Sequence, residues 1–283
     1  MTTNFHFMAG LPRSGSTLLS AILSQNPRIY SGPASPVLSS MMLLDEHLRS
    51  NELFIAYPKA SQATKMVSSL LKNFYTEVEN PTIIDNNRAW PARISLIETC
   101  LGKEVKILCP VRDLSEVLTS MIMLIRRSSP QEDKQARLNF IDDNLVKSNI
   151  LITDENRCNL IVGPNGVVGQ SAIAMMEALG KGYRNRLHFI EYRDLVSEPE
   201  KTLQKVYNFL GEEPFSHNFN QVKNKHQIND LEVYGLKDMH EVRSNVKATS
   251  ENPSSILPPV VLKRCKGSEF WRESVWNLDK QSG

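Results

Sequence analysis

Pro12-Arg-Ser-Gly-Ser-Thr-Leu18 gathers one guanidinium, three hydroxyls and a glycine into a single short turn. That combination suits an oxyanion. Backbone N–H groups left free at a helix start point at an anion, the helix dipole favours negative charge there, and a glycine lets the chain curl close to it. The run is a variant of the triphosphate turn G-x-x-x-x-G-K-[ST], whose lysine reaches the outer phosphates and whose hydroxyl holds magnesium. Gly10 and Gly15 keep the spacing, but Ser16 stands where the lysine belongs, and the positive charge returns inside the loop as Arg13. Such a turn favours an anion other than magnesium–ATP. Arg13, Ser14, Gly15, Ser16 and Thr17 are the first binding candidates. The alternative is an ordinary serine-rich connection between a strand and a helix.

A second cationic position is Arg112, with Ser120 eight residues further on. An arginine offers a forked, charge-assisted contact to phosphate, and a serine hydroxyl adds one more bond. An ion pair from Arg112 to Asp113 at the surface is the competing reading.

These residues need elements to hold them. Phe5 to Gly10 is strand-like and leads into the first loop; a helix follows from about Ser16 to Gln25, apolar at Leu18, Leu19, Ile22 and Leu23, and ends at Asn26-Pro27. Val105 to Val111 reads as a buried strand. Asp113 and Glu116 then have capping-box-like spacing, before an apolar stripe of Leu114, Val117, Leu118, Met121, Ile122 and Ile125. Arg112 thus falls at the carboxyl end of a strand, and Ser120 about two turns along the next helix. Leu187 to Tyr192 is a further strand, and the helix after Ser197-Glu-Pro-Glu200 stops at Gly211. Strand candidates near 4–10, 81–85, 104–111 and 187–192 alternate with helices, which predicts an α/β fold: a parallel sheet covered on both faces, with ligand at the carboxyl ends of the strands.

The motif Pro12-Arg-Ser-Gly-Ser-Thr-Leu18, with Arg112 and Ser120, resembles the sulfotransferases that use 3′-phosphoadenosine 5′-phosphosulfate (PAPS), in the bacterial branch and more distantly the tyrosylprotein branch. The resemblance implies a three-layer fold like that of P-loop nucleotide hydrolases. It implies that the first loop holds the 5′-phosphosulfate, that Arg112 and Ser120 hold the 3′-phosphate, and that no metal is needed. Tyr192-Arg-Asp-Leu195 is similar to a family stretch whose tyrosine lies near the nucleotide, although Tyr192 is equally readable as a core aromatic. Arg243 and Ser244 are similar to a pair that closes over the 3′-phosphate; a solvated Arg243 is the other reading.

Departures from the family pattern bear on catalysis. The glutamate of tyrosylprotein enzymes would fall near Ala34, so a tyrosine-sulfating activity is not expected. Asp85-Asn-Asn-Arg-Ala-Trp90 resembles a bacterial Asp-Lys-x-Arg-Gly-Trp stretch with Asn86 at the lysine and Arg88 in reach of its charge. Arg13 and Arg88 are the expected charge stabilisers, and Asp85 and His240 the candidate bases. His240 lies in Tyr234-Gly-Leu to Val242-Arg243, similar to a late family stretch; an imidazole suits proton transfer near neutrality, but it also serves as a structural hydrogen-bonding group. His6, His47, His188, His217 and His226 read as structural.

Composition frames these motifs. The 283 residues suit a single domain, 1–283, with an insertion of loops and a helix at about 126–186 and an irregular segment at about 215–283. Thirty-three basic against thirty-one acidic residues give +2, no footprint for nucleic acid, so any cationic site must be local. Cys100, Cys109, Cys158 and Cys265 lack metal-site spacing and read as free thiols. With no membrane span or leader, a cytoplasmic location is expected. The function expected is sulfuryl transfer to a hydroxyl, less readily an amine, of a small-molecule, carbohydrate or lipid acceptor. A catalytically silent nucleotide binder of the same fold and a P-loop nucleotide kinase are the alternatives.

Overall fold

A computed structural model describes residues 3–57, 59–128, 138–226, 228–248 and 251–272. The chain begins β1 (Asn4–Met8), α1 (Ser16–Leu23), β2 (Ile29–Ala34), α2 (Val37–Ser50), α3 (Glu52–Ala56), α4 (Ala60–Phe74) and β3 (Thr82–Asn86). It continues α5 (Ile94–Leu101), β4 (Ile107–Val111), α6 (Leu114–Ser128), α7 (Phe140–Lys147), α8 (Asp154–Val162), α9 (Val167–Gly180) and β5 (Leu187–Glu191). The remainder is α10 (Tyr192–Ser197), α11 (Pro199–Leu210), α12 (Asp230–Tyr234), α13 (Pro253–Ile256) and α14 (Pro259–Cys265).

The five strands form one parallel sheet in the order β2-β3-β1-β4-β5. Successive side chains of a strand face opposite sides, and both sides here are apolar. Phe5, Phe7, Ile83, Ile107, Cys109 and Val111 join one core, with residues of α2, α4, α5, α6 and α9. Met8, Ile84, Leu108 and Ile190 join the other, with α1, α10 and α11. The chain is therefore a three-layer α/β structure. Because β1 has neighbours reached in opposite directions, the crevice at its carboxyl end is where such sheets take ligands.

Close packing of backbone launches the first loop from that point. After β1 ends, Ala9 and Leu11 still donate to the carbonyls of Leu108 and Pro110, at 2.8 and 2.9 Å. Gly10 is required there, since a Cβ would stand 2.1 Å from the Pro110 carbonyl oxygen.

Three expectations are corrected. Residues 29–34 form a strand that the sequence did not announce: β2 lies at the sheet edge, carries Gly32-Pro33, and its register with β3 shifts between Ser31 and Ala34. Proline lacks a ladder donor, so such strands have weak signatures. Much of 151–169 is helical, α8 being capped by the Thr153 hydroxyl, which accepts from the Asn156 amide at 3.1 Å. Within the segment expected to be irregular, at about 215–283, Pro253–Ile256 and Pro259–Cys265 are short helices with proline in the first turn. Residues 129–137, part of the expected insertion, and 273–283 lie outside the described residues.

Candidate active site

The loop after β1 turns on two left-handed residues, Arg13 (φ 59°) and Gly15 (φ 89°). A non-glycine residue at positive φ is uncommon and costs about 1–3 kcal/mol, a strain found at ligand clamps. Gly15 occupies the N-cap of α1 with no side chain capping that end, so the first-turn amides stay available. Ser16, Thr17 and Leu18 line a cavity of about 480 Å³ at the carboxyl ends of the strands. Ser14 does not join them: it is fully buried, and its hydroxyl turns back toward the Pro12 carbonyl at 3.4 Å.

Arg13 is swung by its left-handed turn across to α6. Its Nε donates to Ser120 Oγ at 3.1 Å, and its terminal nitrogen donates to the Met239 carbonyl. Burial, then the charges of Arg127 and Arg112, pull its pKa down to about 10, so it remains cationic at neutral pH. The two anion grips read from the sequence as separate are in direct contact through Arg13 and Ser120.

Arg112 is buried at the end of β4. Its Nε donates to Glu116 Oε2 at 2.7 Å, another nitrogen reaches the Arg13 carbonyl at 3.3 Å, and its guanidinium lies 4.2 Å from the centre of the Tyr192 ring. The partner is thus Glu116, one turn along α6. Asp113 instead meets Arg272 at 3.2 Å, and the expected capping box does not form. Tyr192 also walls the loop: a Cβ on Gly15 would come within 2.9 Å of its Cδ2. Glycine is therefore demanded twice, by its φ and by this ring.

On the far wall His240 Nδ1 lies 2.5 Å from Asp230 Oδ1, and the His240 amide donates to the other carboxylate oxygen at 2.7 Å. Asp230 is buried as the first residue of α12, and both oxygens are used on one residue, which fixes the ring. A carboxylate only accepts, so Nδ1 carries a proton toward Asp230, and Nε2 is the nitrogen not used in that pair. The sequence did not single out Asp230. Its only local signal is an Asn229-Asp230 helix start within an irregular segment.

Asp85 is not brought to the cavity. It is fully buried, accepting from Ser35 Oγ (2.5 Å), Tyr75 Oη (2.6 Å) and Trp90 Nε1 (2.7 Å). Burial raises its pKa against the three donors, and its full burial off the cavity lining keeps it from an acceptor proton. Its place is structural, beneath the floor: it ties β2, α4 and the Trp90 turn to the end of β3. Asn86, Arg88 and Ala34, around that end, do line the cavity. Arg243 lines it as well. Ser244 does not; its carbonyl accepts from the Val222 amide at 2.8 Å.

The lining contains Arg13, Arg88, Arg112, Arg127, Arg243 and Lys247 against Asp238 and Glu241. Among the described residues there is no cluster of metal-ligating side chains, and no helix is long and apolar enough to cross a membrane. A family model described as the sulfotransferase domain matches residues 5–253. The chain belongs to that family. No curated protein matches. Among solved structures, this sulfotransferase resembles the sulfotransferase domain from the curacin biosynthetic pathway at 16% identity and TM-score 0.52, covering 96% of this chain and 99% of that one. The sulfotransferase domain of the Synechococcus PCC 7002 olefin synthase gives 19% identity, TM-score 0.52 and coverages of 93% and 94%. Retinol dehydratase, in a complex with androsterone and inactive cofactor PAP, gives 14%, 0.50, 95% and 80%. At these identities the likeness concerns the fold.

Proposed function

We propose that this sulfotransferase moves the sulfuryl group of PAPS to a hydroxyl, less readily an amine, of a small-molecule, carbohydrate or lipid acceptor, without a metal. The observation that carries this reading is the convergence on one cavity of the uncapped α1 start, Arg13, Arg112 and Ser120. These residues fit a doubly anionic adenosine: first-turn amides and hydroxyls for one end, a buried arginine and a serine for the other. The family membership and the PAP-bound state of one fold neighbour agree with it.

The donor, when bound, would supply the sulfuryl group: as the acceptor oxygen–sulfur bond forms, the bond from sulfur to the 5′-phosphate oxygen breaks and adenosine 3′,5′-bisphosphate is the leaving group. Amides of Ser16, Thr17 and Leu18 hold the 5′ end. Arg112 and Ser120 hold the 3′-phosphate, with Tyr192 supporting the guanidinium. Arg13 remains a fixed cation beside the loop, the kind of preorganised charge that favours a transition state over a ground state. His240, oriented by Asp230, takes the acceptor proton on Nε2.

The test is a pair of measurements on one variant. His240→Ala should lower transfer from labelled PAPS to a mixed acceptor panel by about 10²-fold or more, the usual scale of a general base, while calorimetry finds PAP affinity kept. Unchanged turnover removes His240 from the mechanism. Absence of transfer in the native protein, with PAP bound tightly, would mean a silent binder.

A further inference from the structure

Four cations of the cavity, Arg88, Arg127, Arg243 and Lys247, have no partner among the described residues, and the first two stand on the acceptor side. Arg13 is occupied by Ser120 and the Met239 carbonyl, and Arg112 by Glu116. Arg88 and Arg127, exposed into the same concavity, make no hydrogen bond or ion pair among the described residues. The two acids of the lining, Asp238 and Glu241, pair with neither. An unpaired arginine on a convex surface needs no explanation. Two of them facing one pocket create a local positive potential that a bound anion would relieve.

The charge of Arg127 is felt at Arg13, yet both arginines carry the positive lining beyond Arg112 and Ser120. Arg127 lies seven residues beyond Ser120, two turns and about 10 Å further along the same face of α6. The end of that helix is tied to the loop carrying His240, since the Lys237 amide donates to Ser128 Oγ at 2.9 Å. Arg88 follows β3 on the opposite wall, within electrostatic reach of Tyr234, whose ring is 5.9 Å from that of His240. Gln170 of α9 lines the space as a further amide donor. Arg127 is thus next to the helix end tied to the His240 loop, and Arg88 is in reach of the Tyr234 ring beside His240, on the lining that His240 shares.

We propose that the acceptor is itself anionic, a hydroxyl compound carrying a carboxylate, phosphate or sulfate group that Arg88 and Arg127 clasp while its hydroxyl faces His240. This rests on the sulfotransferase reading for the word acceptor, but the anion site can be tested without turnover.

The protein is first saturated with PAP, filling the donor grips, and then titrated with inorganic phosphate, benzoate and neutral benzyl alcohol while melting is followed. Phosphate and benzoate should each add a saturable stabilisation that benzyl alcohol does not. Arg127→Gln and Arg88→Gln should each weaken that second event by about 10-fold or more, the scale of one charge-assisted hydrogen bond, with PAP affinity changed far less. Equal responses to benzoate and benzyl alcohol overturn the proposal. So does an Arg127→Gln loss that falls on PAP while benzoate binding is kept. In a transfer assay with matched acids and neutral alcohols, the acid-to-neutral ratio of kcat/KM should exceed about 10 and collapse in either variant. A ratio near one in an active enzyme refutes the anionic acceptor alone; no transfer at all, with phosphate still bound, refutes the enzymatic reading alone.

Discussion

Replacing Arg112 by alanine should separate nucleotides by their 3′ end. The guanidinium holds a buried position between Glu116 at 2.7 Å, the Arg13 carbonyl at 3.3 Å and the Tyr192 ring at 4.2 Å. It is thus aligned before any ligand arrives. A hydrogen bond to a charged group contributes about 1.5–3 kcal/mol, which is about 10- to 150-fold in Kd. PAP should weaken by that amount, whereas AMP, lacking the 3′-phosphate, should change by no more than a few-fold, the cost of a slackened Arg13 turn. Arg112→Lys should fall between, because the ammonium keeps charge but loses the fork and the stacking on Tyr192. Glu116 sharpens the argument. Its carboxylate competes with an incoming phosphate for Arg112, and the pair, buried at Arg112 and partly open to solvent at Glu116, is worth on the order of 1 kcal/mol. Glu116→Gln should therefore bind PAP up to about 5-fold more tightly. Calorimetry with the two nucleotides on the three variants decides the matter. Equal losses for PAP and AMP in Arg112→Ala, or weaker PAP binding in Glu116→Gln, would show that Arg112 serves the loop and not the phosphate.

The sheet's central strands were legible because β4 is a continuous apolar run and β1 sets Phe5, Phe7 and Met8 around His6, each leading through a loop into a helix start. β2 was not, because an edge strand interrupted by Gly32-Pro33 carries neither alternation nor an apolar run. α8 escaped for a different reason. Its DENRCNLIV sequence buries only Cys158 and Ile161, so its helicity comes from the Thr153 cap and from packing on neighbours that periodicity does not record.

In the site, legibility stopped where backbone sign and burial take over. Gly15 announces a left-handed turn, but nothing in Pro12-Arg-Ser announces that Arg13 is left-handed too, and that one φ sends its guanidinium to Ser120. Asp85 and His240 were equal as titratable groups in the sequence. Three donors enclose the first, whereas one carboxylate orients the second at the cavity wall. Asp230 sits in a segment without periodicity, so only the fold can pair it with His240.

Two further perturbations test the packing and its charge. Gly10→Ala should cost more than about 3 kcal/mol in denaturant unfolding, since the new Cβ meets the Pro110 carbonyl at 2.1 Å and backbone must part; Gly102→Ala, with open space at φ 66°, should cost about 1–2 kcal/mol, and equal effects would contradict the close approach. Burial, aided by Arg184 and Lys205, lowers the His188 pKa from 6.5 to about 4, and burial likewise lowers those of His6, His217 and His226. Between those folded values and 6.5 the unfolded chain binds more protons, so this stabilisation is complete above about pH 6.5 and is lost as pH falls toward 4. The melting temperature should decline through that window, and His188→Gln should flatten part of the decline. A melting temperature that stays level from pH 6.5 to 4 would mean that these imidazoles are not held neutral by the core.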